Sequence, residues 1–159
     1  MNVRIALTIT SVLALGPVAA AGAHTTSVNP CTFLSTKQVA AVHVDTGCKV
    51  LHGRANPLYD GVVATWGKAG GKGSVIVSVD RAKSHTWIDL WKSSHVSGKS
   101  WGVGNWSAGT CTTNGLYCYV SFIVGNNVVV LQVAPPGAKP ISVVKPSKAM
   151  AKTIAAKLA

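Results

Sequence analysis

Four cysteines, Cys31, Cys48, Cys111 and Cys118, constrain this chain more than any other feature. None belongs to a Cys-x-x-Cys pair, the spacing of redox and zinc motifs, and an even count in an oxidising compartment reads as two disulfides. Three connectivities are open to four cysteines. The pairing Cys31–Cys48 with Cys111–Cys118 is preferred because each bridge closes a local unit, the first of them bracketing a short helix.

The oxidising compartment is inferred from the first residues. Arg4 supplies a positive start, residues 5–15 are an apolar run of signal-peptide length, and Gly16-Pro17 then breaks it. Small-residue cleavage patterns follow at Ala19-Ala20-Ala21 and Ala21-Gly22-Ala23, and cleavage after Ala23 is expected. An uncleaved anchor would want roughly 20 apolar residues. No cysteine closely follows the apolar run, so lipidation is not expected. Residues 24–159 then suit one secreted domain, with no membrane-spanning segment.

The charge narrows the partners. Fifteen Lys and Arg face only four acids, all aspartate, for a formal net charge of +11, of which the leader holds one. Such an excess favours anionic envelope polymers or lipid head groups. Export makes nucleic acid an unnatural partner, and the competing explanation is that the charge only keeps the protein soluble.

Periodicity supplies the elements. Ser35-Thr36-Lys37-Gln38 is a capping box with Leu34 and Val39 at the staple positions, predicting a helix over residues 36–43. Residues 61–66 and 74–79 read as strands joined by the glycine-lysine loop 67–73. A second helix is expected over residues 84–95, with Trp87, Ile88 and Trp91 on one face. Residues 117–124 and 128–133 form the clearest hairpin, turning at Gly125-Asn126-Asn127. Ser147 is the expected cap of a last helix in which Met150, Ile154 and Leu158 recur every four residues. The order predicts an α+β fold: a mostly antiparallel sheet covered by about three helices, in one domain with two disulfides.

No catalytic constellation emerges. Gly98-Lys99-Ser100-Trp101-Gly102 matches the Gly-x-Ser-x-Gly elbow, but that motif needs a strand before it, a helix after it, and acid and histidine further on. Every Asp and His here precedes Ser100. The loop 67–73 lacks the register of a phosphate-binding P-loop, since Gly73 stands where a hydroxyl is required. His85 and Asp89, four apart, lack further ligands for a metal and read as a solvated pair. Neither metal nor cofactor is expected. Of the five tryptophans, Trp66, Trp87 and Trp91 are assigned to the core, and Trp101 and Trp106, flanking a glycine-rich turn, to a partly exposed stacking role. Lys68 and Lys72 in the loop, with Lys148 and Lys152 on the last helix, are the candidate anion contacts.

Asn29-Pro30-Cys31-Thr32-Phe33-Leu34-Ser35, running into a helix, resembles the opening of a family of secreted, often lipidated actinobacterial proteins of unknown function. Gly102-Val103-Gly104-Asn105-Trp106 is similar to that family's Gly-Val-Gly-Asp signature, and the last helix fits it too, so the resemblance spans residues 29–158. The family is related in pattern to extracellular sensor domains of receptor kinases, which implies an α/β sandwich with disulfides and a ligand cleft. This chain has Ala64 where the family often carries a cysteine, and it lacks the lipid-attachment cysteine. The combined expectation is a monomeric, non-enzymatic protein, secreted or peripheral to the cell envelope, that binds anionic surfaces or a small ligand. The alternative is a secreted cationic effector or antimicrobial acting on membranes.

Overall fold

The computed structural model describes residues 28–52, 59–67, 73–94, 98–112, 116–137 and 142–159. The leader with its cleavage patterns, and Lys68 and Lys72, lie outside these residues.

The described chain opens by capping itself twice. Asn29 Oδ1 accepts from the Cys31 N–H at 3.0 Å and Pro30 begins a 3₁₀ turn over Pro30–Thr32. At Ser35 the capping box forms as the sequence predicts. Ser35 Oγ accepts from the Gln38 N–H, while Gln38 Oε1 accepts from the Ser35 N–H at 3.0 Å. Helix α1 (Thr36–Ala40) stops earlier than expected, in a turn that carries His43 at φ 57°. Gln38 also donates from Nε2 to Thr153 Oγ1 at 2.9 Å, fastening α1 to the last helix.

Six antiparallel strands follow: β1 (Cys48–His52), β2 (Tyr59–Gly67), β3 (Ser74–Ala82), β4 (Trp106–Cys111), β5 (Cys118–Val124) and β6 (Asn127–Ala134). They lie side by side in the order β1-β2-β3-β6-β5-β4, two three-stranded meanders joined where β6 pairs with β3. Strand β1 was not legible as a strand; it is a short edge piece held by pairing to β2 and by the Cys31–Cys48 bridge. The second disulfide joins Cys111 to Cys118, so both bridges are the preferred ones.

One face of the sheet carries the main core. Alternate residues line up in rows across the strands: Trp66, Val75, Val133 and Cys118; then Ala64, Val77, Leu131 and Val120; then Val62, Val79, Val129 and Phe122. The first row is continued at its ends by Cys48 and Cys111, so both disulfides attach to the same row at opposite edges of the sheet. The segment from the 3₁₀ turn through α1 and the turn after it supplies Phe33, Leu34, Val39 and Val42 to this core, and α3 (Val144–Leu158) supplies Met150, Ala151 and Ile154.

The last helix starts one turn before the expected cap. Its N-cap is Val143, with no side-chain hydrogen bond, and Ser147 lies inside it, buried, its N–H donating to Val143 O at 2.8 Å. Pro146 permits this because first-turn amides have no helical acceptor, so a missing N–H there costs little. The extension places Val144 and Lys145 in the first turn.

The opposite face holds a smaller cluster under α2 (His85–Ser94): Ala82, Ile88, Ile123 and Val128, rimmed by Trp87, Trp91 and Trp106. Trp66 is core as expected, but Trp87 and Trp91 are only half-buried, because α2 buries Ile88 alone. Asp89 pairs with Lys92 at 3.5 Å rather than with His85.

Asp80 on β3 sits between Gly61 and Val128 on this face, and burial raises its carboxyl above the ordinary aspartate range. The folded state therefore binds a proton that the unfolded chain has released, in the window between the ordinary value of 3.8 and the raised one. Stability falls as pH rises through that window and the loss is complete above it. Asp80→Asn is expected to unfold at higher denaturant than the parent at neutral pH, the gap closing at strongly acid pH. Urea melts across that range measure it; a gap independent of pH would contradict the account.

Candidate functional site

Between α2 and β4 the chain makes a turn that its own hydrogen bonds fix in place. Lys99 and Gly109 exchange backbone bonds in both directions, at 3.1 and 3.0 Å, adding a fragment of strand to the β4 edge. Ser107 Oγ, buried, accepts from the Trp101 and Val103 N–H groups at 3.2 and 3.3 Å. Asn105 then ties the turn to the neighbouring hairpin. Its N–H donates to Ile123 O at 2.7 Å, and its Oδ1 accepts from the Gly125 N–H at 2.9 Å. Gly104 has to be glycine there: φ is +63°, and a Cβ would stand 2.2 Å from Ile123 O.

The turn forms one wall of an open cleft of about 470 Å³, with the first two turns of α3 as the other. Lys99, Ser100, Trp101, Gly109, Val144 and Lys148 line it. Trp101 is 8% exposed and belongs to the main core, which corrects the expectation that it is partly exposed, while its edge still lines the cleft. Its indole lies flat enough against Gly109 that a Cβ there would come 2.4 Å from Nε1 and 2.7 Å from Cε2. Gly109→Ala is accordingly expected to push Trp101 out of its seat and break the Lys99 pairing, seen as a change in tryptophan emission with a lowered melting temperature. Unchanged emission would mean the ring does not depend on that contact.

Of the other expected contacts, Lys148 is in the cleft and Lys152 lies one turn further along α3. Trp106 is on the far face of the sheet, edge-on to Trp91 with centroids 5.6 Å apart and planes at 82°. Sequence reasoning missed Lys99, Val144 and Gly109. Lys99 stood in the rejected elbow motif, and nothing in the sequence announces a single bridge to β4.

Charge is unevenly placed. At 100° per residue, Lys145, Lys148 and Lys152 fall within about 60° of arc on the outward side of α3, and all three are exposed. The acids lie elsewhere: Asp60 pairs with Lys83 at 2.9 Å, Asp89 with Lys92, Asp45 accepts from the Gly47 N–H, and Asp80 lies on the α2 face. No carboxylate lines the cleft. The amides of Val144 and Lys145, in the first turn of α3, have no helical acceptor and add positive potential beside it.

The cleft does not assemble the elbow's chemistry. Ser100 Oγ accepts from the Gly102 N–H at 3.4 Å, and the lining residues beside it include neither a histidine nor a carboxylate. Among the described residues no three His, Cys, Asp or Glu side chains converge as a metal site would require, and no helix is long and apolar enough to cross a membrane.

Comparison with known proteins finds no matching family model, no matching curated protein and no matching solved structure.

Proposed function

We propose that the protein is a non-enzymatic extracellular binding protein that attaches to anionic material of the cell envelope through the outer side of α3. The observation that carries this reading is the acid-free stripe of Lys145, Lys148 and Lys152, beside a cleft that adds Lys99 and no carboxylate. The export-type leader, the two disulfides and the resemblance to secreted actinobacterial proteins support the location.

The placement of apolar surface favours attachment over membrane disruption. A helix that inserts into a bilayer carries large apolar side chains alongside its cations. Here the outward side of α3 offers alanines between its lysines, Val144 at the cleft is the exposed large apolar side chain of this helix, and the exposed Leu90 is on α2, across the sheet. The test is binding of residues 24–159 to anionic polymer and to anionic vesicles loaded with dye, across a salt series. Binding that weakens with salt and leaves the vesicles sealed is expected. Binding indifferent to salt would reduce the charge to a solubility device, and dye release would favour the effector reading.

A further inference from the structure

The shape of the cationic surface says more about the ligand than its sign. Lys99 and Lys148 line a concave site, while Lys145 and Lys152 continue from it along the outside of the same helix. A bilayer is locally flat and meets the convex side of α3; its head groups have no reason to enter a recess beside the turn of residues 98–101. A single extended chain can do both. Successive turns of α3 advance about 5.4 Å, the same order as successive phosphates along an extended phosphodiester. Lysine is a compact point charge suited to phosphate oxygens, and the amides of the first turn of α3, which have no helical acceptor, complement the same anion.

We propose that the cleft and the α3 stripe form one track for a single strand of a linear phosphodiester polymer, Lys99 and Lys148 gripping it inside the cleft and Lys145 and Lys152 outside. This rests on the reading of α3 as the attachment face and goes beyond it by naming the chemistry and form of the ligand. Val144 is the residue that separates the two sources of phosphate. It is 41% exposed and lines the cleft, so Val144→Trp narrows the recess without altering a charge.

The experiment titrates synthetic poly(glycerol phosphate), and separately vesicles of equal parts phosphatidylglycerol and phosphatidylcholine, into the wild type, Val144→Trp and Lys99→Gln. Each variant is first shown to melt as the wild type does. Ser100→Trp fills the cleft from the other wall if Val144→Trp does not fold. The expected result is a loss of roughly tenfold in polymer affinity for each variant, the scale of one charge-assisted contact, with no loss of vesicle affinity in the cleft-filling variant, whose added indole suits a bilayer interface. Unchanged polymer affinity in the cleft-filling variant would overturn the track while leaving α3 attachment standing, provided that lysine substitutions on α3 still weaken binding. An equal loss for vesicles would also overturn it, because the cleft would not then distinguish strand from bilayer. Binding to neither probe would remove the track and the attachment reading together.

Discussion

Replacing Cys31 and Cys48 together by alanine is expected to lower the unfolding free energy by about 3 kcal/mol, the chain-entropy value for a loop of this size. For a domain of this length that corresponds to a melting temperature lower by roughly 10 °C. The bridge spans a sequence separation of 17 and joins the opening 3₁₀ turn to β1, an edge strand of five residues that among the described residues pairs with β2 alone. Nothing else in the described chain ties that turn covalently to the sheet. The Cys111–Cys118 bridge, at a separation of 7, links residues already opposite one another in the β4–β5 hairpin. Its removal should cost less, because backbone pairing has largely fixed those ends. Calorimetry of the two double mutants gives the order directly, and an equal or reversed order would show that β1 is held by packing rather than by its bridge.

A larger effect is expected in binding when Lys145, Lys148 and Lys152 are all changed to glutamine. For a linear polyanion with the charge density of a single-stranded nucleic acid, the slope of log affinity against log salt is about −0.7 per contacting cation. Four contacts, these three and Lys99, predict that a fourfold rise in salt weakens wild-type binding about 50-fold. The triple variant, retaining Lys99, should lose only about threefold over the same range. All three side chains are exposed and glutamine is nearly as good a helix former, so the melting temperature should hardly move. A triple variant with the wild-type slope would place the binding surface away from α3.

Much of the fold was legible because its signals are local. The capping box at Ser35, the period-two runs of β2, β3, β5 and β6, and the glycine-asparagine turn each declare themselves within a few residues. Separate closed units also made the disulfide pairing readable. What failed depended on distant contacts. Strand β1 is too short to show a period and exists through its neighbour. Ser147 looked like a cap because serine before a helical run usually is one, yet the turn from Val144 to Pro146 could join the helix without one. Trp101 was misjudged for a similar reason: its glycine-rich flanks suggest exposure, whereas Ser107 and Gly109, six and eight residues further on, seat it in the core. Lys148 and Lys152 were correctly placed on one helix, but the meeting of Lys148 with Lys99 follows only from the path of the chain around the β4 edge.

The row of residues that ends in a disulfide at each edge makes the sheet mechanically unequal along its strands. At that end, covalent links bind β4 to β5 on one side and β1 to the opening turn on the other, so the strands cannot fray outward separately. At the far end, around Ala82, Ile123 and Asn127, no disulfide among the described residues adds to the backbone pairing, the Asn105 bonds to Ile123 and Gly125, the Asp60–Lys83 ion pair and the small cluster beneath α2. Amide protons should therefore exchange by local opening near α2, and by global unfolding near Val75, Val133 and Cys118. Cys111 and Gly109 belong to the clamped end, so one wall of the cleft is built on the disulfide-linked part of the sheet. A chain entering it meets a site that is already shaped, and little of the interaction energy is spent on ordering the protein.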